Sequence, residues 1–278
     1  MNMAVMEIAA VEMTLPVRKS NTHKSNYGKL LILGGSVGYT GAVCLCARAA
    51  IRSGAGLVSV GVPEEIYPIV AAKLDEPMPF PVKKPLTFAQ VRTKLAASDV
   101  CIIGPGLGRG EDAMQFARDV IANSDLPTVI DADALYAVKD DLHLLRGKII
   151  TPHAGEFARL GGDLRKTPAE AAATFTAKYG CTTVLKGPET AIAFPDEKGV
   201  YISRAGNPGM ATGGSGDVLA GIIGGLLGQI DPWQAVLAGV CIHGAAGDLC
   251  AERLGEYSMT PSDMIDALPE IIKPMIGR

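Results

Sequence analysis

Aromatic side chains are scarce in this chain: only 5% of its 278 residues are Phe, Trp or Tyr. The core must therefore come from Ala, Val, Ile and Leu, and a 48% apolar total supplies enough of them for a layered α/β fold. An excess of basic charge is also lacking. A net charge of -3 gives no footprint for nucleic acid, which needs a basic stripe. No uninterrupted apolar run reaches the ~18 residues of a membrane span, so no spanning helix is expected. The opening stretch "MNMAVMEIAAVEMTLPVRK" has no basic n-region of the secretory kind. The expectation is a cytoplasmic protein with neither a membrane nor a nucleic-acid partner.

Metal and disulfide patterns are missing too. The six cysteines, Cys44, Cys46, Cys101, Cys181, Cys241 and Cys250, stand among apolar neighbours. Cys44 and Cys46 are two apart on a helical stretch, so they face different sides and read as small buried hydrophobes. The histidines at 23, 143, 153 and 243 show no ligand spacing. No protein-held metal site is expected. Two standard phosphate fingerprints are absent as well. No G-x-x-x-x-G-K-[ST] occurs, and no G-x-G-x-x-G occurs, which disfavours a Walker loop and an ordinary Rossmann site.

What is present is a repeat of apolar runs and helical patterns separated by glycine-rich turns. Strands are expected at 29–35, 56–62 and 99–108, the last ending in glycines, with strand-loop-helix units at 127–135 and 148–157, a hairpin at 181–194 and a further strand at 199–204. Helices are expected at 41–54, from 63, at 111–123, and from 216 onward, where one runs from 216 to 228 and 231–255 is the longest. The Pro-rich "DEPMPFPVKKP" at 75–85 reads as an irregular crossing. Such βα repetition implies a mostly parallel sheet covered on both faces, a three-layer α/β/α arrangement. A chain of this length buries about 75% of its unfolded surface. With no linker or repeat, one domain over 1–278 is expected, preceded by a short N-terminal extension, 1–22.

Ligands in these sheets collect beyond the carboxyl ends of the strands. The loops there are "GGSVGYTGA", "GPGLG", "DADAL", "TPHAGE", "KGPET" and "ATGGSGDVLAG". "GGSVG" matches the G-x-S-x-G elbow of hydrolases and would make Ser36 a nucleophile. Too few residues precede Ser36 for the earlier strands an elbow needs, so that reading is disfavoured. In the last loop, Gly213, Gly214 and Gly216 allow close backbone approach, and the helix beginning there turns its positive end to the same point. An anion fits this nest. Asp217, in the first turn, is expected to be kept ionised by the dipole and to act as base for phosphoryl transfer. The plainer reading is a capped helix after a flexible loop. Taken alone, the stretch leaves both open.

"GGSGDVLAG" resembles the anion hole of ribokinase-like proteins. "HKSNYGKLLILGGSVGYTGA", "GPGLG", "DADAL", "TPHAGEFARL" and "KGPET" resemble, in order, the motifs of the NAD(P)H-hydrate dehydratases, from about His23 to about Leu268. The resemblance implies a ribokinase-like fold and repair of damaged nicotinamide cofactors. The S form of NADHX or NADPHX is dehydrated to NADH or NADPH at the expense of ADP, the nucleotide generally used by bacterial members. It implies hydrate contacts at Ala42, Gly106 and His153, although His153 also reads as a locally satisfied helix-start residue. Nucleotide contacts are implied at Lys186, Gly187, Pro188, Glu189, Thr190, Gly214, Ser215 and Gly216, with Asp217 as base on the hydrate. Asp131 and Asp133 are candidates for positioning Mg²⁺ or supporting the site. Relatives imply a homotetramer. The chain departs from the family at Ser25, where Gly is common, and an N-terminal epimerase domain has no room before the first motif, so dehydration alone is expected. Within the same fold the alternative is a small-molecule kinase of the hydroxymethylpyrimidine or hydroxyethylthiazole type; outside it, a non-catalytic nucleotide sensor.

Overall fold

The computed structural model describes residues 4–8, 13–196 and 199–277. Its strands are β1 (Ala4–Glu7), β2 (Lys29–Leu33), β3 (Leu57–Pro63), β4 (Met78–Val82), β5 (Val100–Ile103), β6 (Thr128–Ile130), β7 (Ile149–Ile150), β8 (Thr182–Leu185), β9 (Thr190–Ala193) and β10 (Gly199–Ser203). Among the described residues these form a sheet in the order β1-β10-β9-β8-β7-β6-β5-β2-β3-β4. From β8 to β4 every neighbouring pair is parallel. β9 runs antiparallel to both β8 and β10, as the short turn before it requires, and β1 lies parallel to β10.

The connecting helices are α1 (Thr40–Arg52), α2 (Tyr67–Ala71), α3 (Phe88–Ala96), α4 (Glu111–Ala122), α5 (Asp133–Ala137), α6 (Ala154–Arg159), α7 (Pro168–Tyr179), α8 (Ser215–Leu227), α9 (Pro232–Leu254) and α10 (Pro261–Ile272). Strand alternation divides the apolar residues between two cores. In β2, Leu30 and Ile32 belong to the core shared with α1, α8, α9 and α10, whereas Leu31 and Leu33 belong to the core shared with α3, α4 and α7. Both faces of the central strands are thus covered, and their continuous apolar runs follow from that. The expected mostly parallel sheet with helices on both faces is observed.

Three sequence expectations change. The stretch 75–85 is not wholly irregular: Met78–Val82 is a strand, β4, with Pro79 and Pro81 inside it. It lies at the sheet edge beside β3, where a missing N–H costs no ladder bond on the open side. The opening residues are not merely an extension, since Ala4–Glu7 adds the other edge strand. Finally, α9 is long and apolar enough to cross a membrane by length and composition. Its apolar residues instead sit mostly buried against α8 and α10.

α8 is the element that matters most for the site, and glycines set its depth. A Cβ at Gly221 would stand 2.2 Å from the Cys46 carbonyl oxygen of α1, and one at Gly224 would stand 2.3 Å from Ile102 Cδ1 of β5. α8 is therefore wedged between α1 and the sheet at closer range than any side chain permits, and its N-terminus reaches the carboxyl ends of the strands. Cys44 and Cys46 are both buried, because α1 is covered on nearly every side. All six thiols are free.

Candidate active site

Asp131 follows directly on β6 and is almost fully buried. The chain then turns through Ala132, whose φ of 49° is the only positive value among the described non-glycine residues. Backbone held in that region costs of order 1–3 kcal/mol and persists only where the surroundings fix it. Gly104, at the end of β5 with φ 123°, helps to fix it: a Cβ there would lie 1.8 Å from the Asp131 carbonyl oxygen. The turn aims Asp131 at Lys186, which follows β8. Lys186 Nζ stands 3.0 Å from Asp131 Oδ1 with both side chains largely buried. Burial works against the Lys186 charge, but Asp131 and Glu156 outweigh it and raise the ammonium's pKa.

The first turn of α8 closes on this pair. A Cβ at Gly216 would stand 3.0 Å from Lys186 Nζ, so glycine is what permits the approach. Gly214 is the N-cap with φ 107°, and no side chain caps the helix. The Ser215 amide donates to the Thr212 carbonyl at 3.4 Å, and the next amides of the turn, those of Gly216 and Asp217, are left for a ligand. Of the three glycines read as a nest, Gly214 is required by its φ and its crowded surroundings, a Cβ at Gly216 would press on the end of Lys186, and Gly213 faces open space.

Asp217 follows, and here one expectation is corrected. Its carboxyl is not held ionised by the helix dipole: burial, seconded by the Asp131 charge, pushes its pKa to about 7 against the opposing pull of Lys186. Asp133 and Glu156 push the same way. A carboxylate poised near neutrality is suited to general-base work.

His243 on α9 lies beneath this turn, with Nε2 2.9 Å from the Ser215 carbonyl oxygen and 3.3 Å from its hydroxyl. Burial lowers its pKa to about 4, so the imidazole is neutral and Nε2–H donates to the carbonyl. In the sequence, His243 shows no metal-ligand spacing with the other histidines. Its weak signal is a histidine set in a long apolar stretch.

Other site residues fall as follows. Ala42 and Gly106 come together: a Cβ at Gly106, whose φ is 60°, would lie 3.0 Å from Ala42 Cβ and 2.8 Å from the Tyr39 carbonyl oxygen. His153 takes the plainer of its two roles at Nδ1, which accepts from the amides of Gly155 and Glu156 at the start of α6. Glu156 returns a bond to the His153 amide, and the ring's other nitrogen, Nε2, keeps a half-exposed position 3.4 Å from Glu156 Oε1. His153 and Lys186 pair across the ends of β7 and β8. Lys186–Thr190 forms the β8–β9 turn. Gly187 and Pro188 are exposed, Thr190 donates to the Gly187 carbonyl, and Glu189 is engaged by Arg204 rather than by the Asp217 cluster.

Ser36 donates to the Gly106 carbonyl at 2.8 Å, and no histidine bonds it among the described residues. It has no base, which removes the hydrolase reading. Asp133 accepts from the Gly108 amide and Arg109, so it holds the "GPGLG" loop.

A mostly parallel sheet with an uncapped, glycine-led helix and a largely buried aspartate at its carboxyl edge is the arrangement of the ribokinase-like class. Comparison with known proteins agrees. A ribokinase-like superfamily protein from Enterococcus faecalis superposes with a TM-score of 0.86 at 31% identity, covering 99% of this chain and 96% of that one. A family model described as NAD(P)H-hydrate dehydratase matches residues 30–270, and the chain belongs to that family. The bifunctional NAD(P)H-hydrate repair enzyme of Moorella thermoacetica is 40% identical over 98% of this chain, which spans only 54% of that protein. The ADP-dependent (S)-NAD(P)H-hydrate dehydratase of Bacillus subtilis is 36% identical, with 95% of each chain covered. A Bacillus subtilis ADP/ATP-dependent NAD(P)H-hydrate dehydratase co-crystallised with ATP and Mg²⁺ has a TM-score of 0.82 at 32% identity, with 99% of each chain covered.

Proposed function

We propose that this chain dehydrates (6S)-NADHX and (6S)-NADPHX to NADH and NADPH at the expense of ADP, releasing AMP and phosphate. The observation that carries the proposal is Asp217, held near neutrality beside the Asp131–Lys186 pair at the uncapped start of α8. Hydroxide is a poor leaving group and phosphate a good one. Asp217 takes the proton of the hydrate's ring hydroxyl, and the oxygen attacks the terminal phosphorus of ADP as the bond to AMP breaks. The ring carbon–oxygen bond then breaks, phosphate leaves, and the adjacent carbon gives up a proton as the ring double bond re-forms. The amides of Gly216 and Asp217, with Lys186, stabilise charge on the phosphoryl oxygens; such a donor contributes about 2.7–4 kcal/mol.

In this reading Ala42, Gly106 and His153 contact the hydrate, the last through Nε2. Lys186–Thr190 and Gly214–Gly216 hold the nucleotide. Mg²⁺ fits as an ion held mainly by the phosphates of the nucleotide. One oxygen of Asp131 is already tied to Lys186, and no group of three or more metal-ligating side chains converges among the described residues. When bound, it neutralises phosphoryl charge. A homotetramer is part of the proposal on family resemblance, as is a cytoplasmic location, in keeping with six free thiols. The test is to incubate the protein with (6S)-NADHX and ADP. Reduced nicotinamide, AMP and phosphate should form in equal amounts, and a loss of ADP without reduced nicotinamide would instead indicate a kinase.

A further inference from the structure

Beyond Gly106, on the side away from the nucleotide turn, lies a cavity of about 200 Å³ that the mechanism does not use. Its lining includes Ser36 from the loop after β2, Glu65 after β3, Lys84 after β4, Leu107 and Gly108 after β5, and Asp112 at the start of α4. It is built from the same loops as the reaction centre. Ser36 donates to the Gly106 carbonyl, and the Gly108 amide donates to Asp133, whose charge is felt at Asp217. A whole ligand usually needs about 300–1,000 Å³, so this cavity accepts one end of a larger molecule.

Position indicates which end. The strand ends run in the order β8, β7, β6, β5, β2, β3, β4, with Lys186 after β8 and Asp131 after β6. The loops lining the cavity follow β5, β2, β3 and β4, one to four inter-strand spacings from β6, about 5–19 Å at about 4.8 Å each, with Glu65 and Lys84 at the far end. The far end of that range is of the order of an extended dinucleotide's length. A hydrate whose ring lies at Asp217 and whose body crosses Ala42 and Gly106 therefore reaches the cavity with its far nucleoside.

We infer that this cavity is the subsite for the adenosine half of the hydrate, and that Glu65 and Lys84 set the choice between its 2′-hydroxyl and 2′-phosphate forms. The inference rests on the dehydratase reading. The two side chains are paired at 3.1 Å, and each is about half exposed at the rim. A carboxylate accepts from a ribose hydroxyl, whereas a free cation receives a phosphate. With Glu65 and Asp112 against one lysine, and that lysine occupied, the cavity is net negative, so the 2′-hydroxyl form, NADHX, is favoured.

The experiment is kcat/KM for (6S)-NADHX and (6S)-NADPHX with saturating ADP, in the wild type, Glu65→Gln and Lys84→Met. Both positions are exposed, and melting temperature checks folding. Glu65→Gln frees Lys84 and should move the ratio toward NADPHX by about two- to fivefold, the range for an exposed charge pair. Lys84→Met should move it the other way, with both changes in the KM of the hydrate and not of ADP. Ratios that stay at the wild-type value in both variants overturn the inference alone. A wild type that turns over neither hydrate overturns the functional reading beneath it.

Discussion

At Asp217 burial and the helix dipole pull in opposite directions, and magnitudes decide between them. A helix N-terminus favours a carboxylate by about 0.3–1 kcal/mol, up to about 2 in partly buried geometry. Moving the group from 3.8 to about 7 corresponds to roughly 4 kcal/mol the other way. The folded state therefore penalises the ionised form. The penalty is absent below the unfolded pKa near 4, grows through the interval, and is complete above about 7. Asp217→Asn should accordingly raise the melting temperature at pH above about 7 and leave it unchanged below about 4, while kcat/KM of the wild type rises with pH toward a plateau past about 7. A melting-temperature gain largest in acid would contradict this. The aspartate itself was legible in the sequence, because glycines before a helix start point to an anion. Its pKa was not, because the burial and the Asp131 charge that set it come from distant parts of the chain.

Elements hold the site where single residues do not. α9 steadies the first turn of α8 through His243 and the Ser215 carbonyl. His243→Gln keeps an N–H donor near the same place and should retain most turnover. His243→Ala removes the donor and should raise the KM for ADP and lower kcat with a modest drop in melting temperature, so equal kinetics in the two variants would show that the bond does not position the turn. The α1–α8 contact makes a second prediction. Gly221→Ala gains about 1 kcal/mol of helix propensity but forces Cβ against the Cys46 carbonyl, and overpacking of that kind costs about 1–3 kcal/mol. A lower urea midpoint at unchanged slope is expected. Most strands and long helices were readable from period and glycine punctuation. β4 was not, since Pro79 and Pro81 read as breakers unless the strand is known to be an edge. α3 and α7 did not stand out either. In α7, for instance, a run of alanines gives no clear stripe, and its capping box at Thr167 and Glu170 is the local signal that was available.

For the molecule as a whole, motif order along the chain mirrors position along the sheet edge. Loops that follow β2, β5, β6, β7 and β8 line one row, and the loop leading into α8 closes on it, which is why six short stretches could be read together as a single site before any geometry was known. His153 shows the limit of that reading, since its motif position gave its neighbourhood while the capping bonds of Nδ1 depend on local geometry. Under the proposed function, the same row would order the two substrates, nucleotide toward β8 and hydrate toward β2. On the bacterial resemblance, initial rates should be higher with ADP than with ATP. Central to the account is Asp217 as the base that takes the hydrate's proton, and it is tested most directly by measuring ADP binding by calorimetry and (6S)-NADHX turnover on Asp217→Asn side by side. The account predicts nucleotide affinity close to wild type with turnover reduced by about 10²–10⁴; substantial turnover in that variant would contradict it.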